Sequence, residues 1–398
     1  MWNDTARRLR ALPAVVWGLG IVSLFTDAAS DMVVPLLPEL IAGLGGGALA
    51  LGAMEGLAEL SSAALKVGAG AAIDRGVRPG PLVVVGYGLA ALVRPLYAFA
   101  GAPWHAMVLR SLDRIGKGMR SAPRDGMLAA SVGEGQRGLA FGVHRGMDNM
   151  GAVVGGGLAF LLLGLAGLTV DQVLLVSVVP GIISTAIAIG ITRRAERARP
   201  PEPKTEGKAE PRVAVPLPSA ARRFLVVVGL FSLSASTDTF LLAHLRHQGL
   251  DVKWLPLAWI SLQLAKALLN IPGGAIADRI GPKRSLALGW CVYALTYLGF
   301  VLSPSPAVTW LLFLFYGVHY GLTEGAEKAF IAASCPPLAR GRGYGLLAAI
   351  GGAALLPANL LFGVLYDKSS MLAFGTAAAI AGIAAALVAV VVPATDPA

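Results

Sequence analysis

The spacing of polar breaks constrains this chain most. Between residues 13 and 393 they delimit apolar runs of about 20 residues or more, the length that carries a helix across ~30 Å of hydrocarbon. Twelve such runs lie near 13–42, 47–72, 81–101, 104–128, 138–165, 171–192, 222–246, 254–277, 284–303, 307–334, 341–366 and 371–393. No segment alternates in polarity over about ten residues, so a β-barrel is excluded. Hydrophobic residues make up 56% and charged residues 14% of the chain, against roughly 45–50% and about 25% in soluble domains. A disordered chain and a soluble multidomain enzyme are thereby ruled out. The 50 glycines and 25 prolines have no collagen period and suit closely packed membrane helices. Arg7, Arg8 and Arg10 before an apolar run imitate a signal peptide, but Asp27 and Asp31 interrupt that run. It is therefore expected to be a retained first helix of an all-α integral membrane protein.

Lys and Arg in loops set the orientation. With the N-terminus cytoplasmic, 20 basic loop residues fall on the cytoplasmic side and 3 (Arg246, Lys253, Lys368) on the other. Both termini are expected inside, in the bacterial inner membrane. The net charge of +10 is then a topological signal, with no soluble domain to carry a nucleic-acid footprint.

The polar stretch 193–221, with Arg199, Pro200, Pro201, Glu202, Pro203 and Lys204, reads as a cytoplasmic linker between residues 1–192 and 222–398. Six runs lie on each side. Gly70 to Asp74-Arg75-Gly76-Val77-Arg78 recurs 204 residues later as Gly274 to Asp278-Arg279-Ile280-Gly281-Pro282-Lys283-Arg284. Arg137-Gly138 with Phe141-Gly142 recurs 203 residues later as Arg340-Gly341 with Tyr344-Gly345. Two matches at nearly one offset indicate a duplicated six-helix unit, as in transporters built from repeats.

The Gly-x-x-x-Asp-Arg-x-Gly-x-Lys-Arg signature resembles the major facilitator superfamily, as do Arg114-Ile115-Gly116-Lys117-Gly118 and Gly151-Ala152-Val153-Val154-Gly155-Gly156. The first copy has Val77 where that family has glycine. Lys117 replaces a glutamine, and Ala152 replaces the proline of the antiporter motif. The resemblance spans essentially the whole chain. It implies two pseudo-symmetric six-helix bundles, alternating access around a midplane cavity lined by segments 1, 4, 7 and 10, and outer scaffold segments 3, 6, 9 and 12. It also implies that Asp74, Arg75, Asp278 and Arg279 latch helix ends at a cytoplasmic gate.

Intramembrane ionisable groups face protein or watery cavities. Of the ten basic residues outside loops, only Arg94 falls on segments 3, 6, 9 or 12, and no embedded acid does. At 100° per residue, Arg110, Arg114, Lys117, Arg120 and Arg124 lie within about 120° on segment 4. Each costs about 2.5–3.5 kcal/mol at a helix centre, so the stripe has to be shielded. Substrate-cavity candidates are Asp31, Arg110, Asp113, Arg114, Lys117, Tyr320 and Glu324. Proton-coupling candidates are Asp27, Asp31 and Asp238; Thr26-Asp27 recurs as Thr237-Asp238. Gating candidates also include Arg145, Asp148, Glu327 and Lys328, with interhelical ion pairing as the plainer reading.

His244 and His247 are spaced for a metal, but no third His or Cys accompanies them. The two cysteines, Cys291 and Cys335, form no framework, and no nucleotide-binding or hydrolase motif occurs. The expectation is a cofactor-free, metal-free, monomeric secondary transporter of a small organic solute, with protons and the lipid bilayer as its other partners. It is proton-coupled, with efflux by antiport favoured. Uptake of an organic anion by symport or uniport is the alternative, and a polytopic membrane enzyme is the alternative of another class.

Single-cysteine labelling checks the topology. Ser219→Cys is expected to be shielded from impermeant external reagents and Ser305→Cys to be accessible. Labelling of Ser219→Cys in intact cells would overturn the orientation.

Overall fold

The computed structural model describes residues 12–133, 136–198 and 216–393, and is helical throughout, with no strand among them. The stretch 199–215 of the expected linker lies outside the described residues, as do Arg7, Arg8 and Arg10 and the side chains of Asp74 and Arg137.

Each apolar run becomes one helix or a broken pair. α1 (Ala14–Val33) passes through a 3-10 turn (Val34–Leu36) into α2 (Leu37–Gly43), because Pro35 brings no N–H to the ladder. α3 spans Ala48–Asp74. α4 (Pro79–Val93) ends where Arg94-Pro95 opens a 3-10 segment, Arg94–Phe99. α5 spans Pro103–Ala130 and α6 spans Arg137–Gly164. α7 (Val170–Val176) opens with a capping box from Thr169 and Gln172 and leads into α8 (Val178–Ala198).

In the second half, α9 (Ser219–Ser232) and α10 (Asp238–His247) share one run. α11 (Leu255–Ile280) and α12 (Pro282–Leu302) follow. α13 (Pro306–Phe315) and α14 (Gly317–Ser334) share another run. α15 (Pro337–Lys368) and α16 (Ser370–Val391) complete the fold.

Among the described residues, 8 helices are long and apolar enough to cross a membrane, or 9 with the bent pair Val252–Asn270 and Pro272–Ile280. The three expected runs outside that set fail for physical reasons. α5, at 28 residues and ~42 Å, is long enough but carries the basic stripe. The seventh run is unwound between Ser232 and Asp238, and the tenth is interrupted at Tyr316.

Contacts group the chain into two compact units, Met1–Leu40 with Leu57–Thr205 and Ile41–Gly56 with Glu206–Ala398. α3 therefore begins in unit 2 and ends in unit 1.

Within unit 1, α1 packs chiefly on α6 and α8, and α4 packs on α5. Glycines permit this approach. A Cβ at Gly155 would stand 2.8 Å from Ala28 Cα, and one at Gly151 would stand 3.0 Å from Leu24 Cα and Asp27 Cβ. Gly86 and Gly116 face each other so closely that a Cβ on either would lie 2.6 Å from the other's carbonyl oxygen. The apolar core of this unit includes Val16, Leu19, Val22, Val83, Tyr87 and Leu128.

Unit 2 packs α12 on α14 and α16, and α11 on α14. Its centre is aromatic. Phe231 stacks on Trp290 at 4.5 Å and Tyr293 on Tyr297 at 4.0 Å, with Tyr316 and His319 closing edges around them. Asp367 accepts the N–H groups of Ala48 (2.7 Å) and Leu49 (2.9 Å) at the start of α3, beside Gly47, where a Cβ would stand 2.7 Å from Asp367 Oδ1.

Gly155→Ala is expected to lose about 1–3 kcal/mol by overpacking. Gly157→Ala, whose Cβ would meet nothing within 4 Å, should match or exceed the wild type. Thermal unfolding in detergent compares them; equal losses would show that the α1–α6 approach does not require glycine.

Candidate functional site

Unit 1 holds its charges in a network centred on Asp113. Arg94 Nε donates to Asp113 Oδ1 at 3.0 Å, and Arg110 approaches Oδ2 at 3.6 Å. All three residues are buried, with Arg110 only 2% exposed. Arg94 Nη1 also donates to the Thr26 carbonyl at 2.8 Å. The Thr26 hydroxyl pairs with that of Ser184, which donates to the Val22 carbonyl at 2.9 Å. Asp27 thus follows a residue whose carbonyl and hydroxyl are both fixed, and its own side chain is packed against Gly151.

Further along α5, Arg120 lies 4.6 Å from the Tyr87 ring centroid and reaches the Gly86 carbonyl at 3.4 Å. Arg124 binds its neighbour Asp125 at 2.9 Å. Arg114 Nη2 meets Glu59 Oε1 of α3 at 3.2 Å, yet its buried Nε has no partner. Lys117, one turn on, is exposed. On α6, Asp148 accepts the Ser23 hydroxyl and faces His144 Nδ1 at 3.8 Å, while the buried His144 Nε2 has no partner.

In unit 2 the break between α9 and α10 is furnished with partners. Tyr293 donates to the Ser234 carbonyl (2.7 Å), Ser236 Oγ pairs with Tyr297 Oη (2.8 Å), and the Thr237 N–H donates to Asn359 Oδ1 (2.9 Å). Unwound backbone inside a membrane protein persists when its freed groups are met by protein. The break presents Asp238 as the first residue of α10. Lys266 Nζ of α11 lies 2.5 Å from Asp238 Oδ2 and 3.8 Å from the Tyr320 ring centroid. Tyr320 donates to Asp238 Oδ1 at 3.1 Å and sits 3.3 Å, hydroxyl to hydroxyl, from Tyr316.

The sequence candidates therefore sort by environment. Arg110 and Asp113, expected on a cavity wall, are buried in the ion-pair network. Asp27 is half-buried and Asp31 buried in unit 1. Glu324 is exposed and accepts from Asn270 at 3.2 Å. Arg75, Arg145, Asp278, Arg279 and Lys328 are exposed, Glu327 and Asp148 are half-buried, and the Asp74 side chain lies outside the described residues. His244 is buried and bonded to Tyr366 (2.9 Å), whereas His247 is exposed. No group of three metal-ligating side chains occurs among the described residues.

Arg94 and Lys266 were not among the candidates. Each is the only charge in its apolar run, and such a charge has to find a partner within the protein.

Arg94→Gln is expected to destabilise by about 3–5 kcal/mol, the cost of removing one member of a buried pair. Adding Asp113→Asn should restore part of that loss. Thermal unfolding of the single and double variants tests the coupling; purely additive losses would show that Arg94 and Asp113 act independently.

The match to known proteins agrees with this architecture. The Major Facilitator Superfamily model matches residues 19–262 and 257–398. An uncharacterized MFS-type transporter of Methanocaldococcus jannaschii is 31% identical over 372 residues, 92% of each chain. A POT family transporter solved in complex with 5-aminolevulinic acid superposes with a TM-score of 0.78 at 11% identity, covering 96% of both chains. The nucleoside transporter NupG gives 0.71 at 12% identity, covering 94% of this chain and 98% of its own. A chain that is helical throughout its described residues, that the family model matches over residues 19–398 and that is 31% identical to an MFS-type relative over 92% of its length belongs to the major facilitator superfamily of membrane transporters.

Proposed function

We propose that this multi-pass transporter carries a small organic solute with an anionic group, coupled to protons, by alternating access. One observation carries the reading: in unit 1 Lys117 is exposed, one turn from an Arg114 that meets Glu59 through Nη2 but whose buried Nε lacks an acceptor. Arg94 and Arg110 share Asp113, Arg120 lies over Tyr87, and Arg124 has Asp125. The planar Arg114 fork suits a carboxylate or phosphate, and Lys117 adds a point charge. Asp27, held half-buried between Thr26 and Gly151, is the proton carrier of this unit.

The antiporter-like glycines Gly151 and Gly155 have a packing role in bringing α6 onto α1. Export by antiport therefore draws less support from them than anion uptake draws from Arg114 and Lys117. The protein works as a monomer in the inner membrane with both termini cytoplasmic.

Counterflow in proteoliposomes with a panel of labelled carboxylates and phosphates, with and without a pH gradient, tests this. Arg114→Gln and Lys117→Gln are expected to lose at least tenfold in apparent affinity for the transported anion. Asp27→Asn should abolish gradient-driven accumulation and leave counterflow. Normal uptake by both basic variants would remove the anion assignment. Unchanged pH-driven transport in Asp27→Asn would remove that carboxylate from the mechanism.

A further inference from the structure

We infer that Asp148 and His144 of α6 relay the proton of Asp27 toward the end of unit 1 at which α6 begins. The inference rests on the reading of Asp27 as the proton carrier of this unit. Asp27 and Asp148 are held at one α1–α6 contact. Ser23, four residues before Asp27 and so on the same face of α1, donates its hydroxyl to Asp148. Three residues beyond Asp148, a Cβ on Gly151 would stand 3.0 Å from Asp27 Cβ. One turn back along α6, His144 turns Nδ1 toward Asp148 Oδ1 at 3.8 Å. The His144 side chain is 5% exposed and that of Asp148 18%.

A purely structural role leaves His144 unexplained. At 3.8 Å its ring is too far from Asp148 for a hydrogen bond, and Ser23 already anchors that carboxylate. The buried Nε2 has no partner, an arrangement that costs stability and calls for a role. His144 also lies nearer the start of α6 than Asp148 by about 6 Å of helix rise. With both termini inside, that start is the cytoplasmic end.

The charged and titratable groups facing Asp27 are Asp31 of α1, Lys117 and Arg120 of α5, and Asp148 of α6. Those facing His144 are Arg124 and Asp125 of α5, and Arg145 and Asp148 of α6. Asp148 is common to both sets. Arg124 is engaged with Asp125 at 2.9 Å, and an arginine does not give up its proton. The path from Asp27 to His144 therefore runs through Asp148.

Each transfer balances. The Asp27 carboxyl group gives its proton to the Asp148 carboxylate and is left as a carboxylate. Asp148 gives that proton to the Nδ1 lone pair of His144 in its Nε2–H tautomer and regains its charge. The imidazolium releases the Nε2 proton to water and is left neutral as the Nδ1–H tautomer. Loss of the Nδ1 proton to water and gain of one at Nε2 restore the first tautomer with no net change. One proton leaves Asp27 and one reaches water.

The test needs no transported solute. Full-length protein in lipid nanodiscs is given a light-triggered proton pulse within the window of about pH 5–8 in which imidazole changes charge. Time-resolved infrared spectroscopy follows the carboxyl band that Asp27→Asn removes. His144→Gln and Asp148→Asn are each expected to slow the rise and decay of that band at least about tenfold. His144→Gln should leave the equilibrium midpoint of the band in place, because a relay group changes the rate and not the equilibrium. Added imidazole should restore the rate in His144→Ala.

An unchanged rate in folded His144→Gln would overturn the relay. So would slowing that comes with a displaced midpoint and that imidazole fails to restore in His144→Ala, the pattern of a structural residue. Nitrogen NMR of the histidine-labelled wild type depends on no variant folding. It is expected to show the His144 ring exchanging between its two neutral tautomers, and a ring fixed in the Nδ1–H form would overturn the relay as well. A missing Asp27 band defeats the carrier and the relay together, whereas a titrating band whose rate ignores His144→Gln defeats the relay alone.

Discussion

Asp113 is the charge on which the first unit depends. A carboxylate placed in the middle of an apolar bundle has to be met by cations, and here two arginines from two helices meet it within 3.6 Å. One of them, Arg94, extends the arrangement to the α1 backbone through the Thr26 carbonyl. Replacing such a cluster with apolar groups of the same volume is often neutral or stabilising. Its value is therefore better sought in what it fixes than in what it adds to stability. It fixes α1, α4 and α5 at one level, and Ser184 of α8 joins them through Thr26. The rotation of α1 at Asp27 is set at that level, and the approach of α6 through Gly151 and Gly155 closes the other side.

That arrangement explains which parts of the fold could be read from the residues and which could not. Helix positions followed from run length, and the ends of α3, α12 and α16 fall within a few residues of the expected breaks. The expectation of a repeat rests on two local matches, Asp74-Arg75 with Asp278-Arg279 and Arg137-Gly138 with Arg340-Gly341, at offsets of 204 and 203 residues. The basic stripe on α5 was legible because helical periodicity is local. Its pairing was not. Arg94 and Asp113 lie on different helices, and Ser23 with Asp148 are separated by 125 residues, distances at which spacing carries no information. Arg110 and Asp113 accordingly looked like cavity residues, since a charge inside a bundle and a charge facing water leave the same mark on a linear sequence.

The helix breaks were equally hard to anticipate. Between Ser232 and Asp238 there is neither proline nor glycine: Leu233, Ser234, Ala235, Ser236 and Thr237 are residues that a helix tolerates. What unwinds them is tertiary. Two tyrosines of α12 and an asparagine of α15 offer bonds to the segment's backbone and hydroxyl groups. In contrast, the 3-10 segment after α4 follows directly from Arg94-Pro95, where the chain itself withholds a donor.

The dipeptides Thr26-Asp27 and Thr237-Asp238 show how far the two repeats have diverged. In unit 1 the helix runs unbroken through the pair, and the threonine is clamped by Arg94 and Ser184. In unit 2 the threonine ends an unwound stretch and the aspartate begins a helix, joined to a lysine and a tyrosine. A carboxylate at a helix start is favoured by the local dipole, and Lys266 lies against Asp238 as well, whereas Asp27 lies within a continuous helix with Lys117 and Arg120 of α5 as its nearby cations. The two aspartates thus sit in unequal surroundings. The difference between them lies in the company each aspartate keeps, since the preceding threonine is the same.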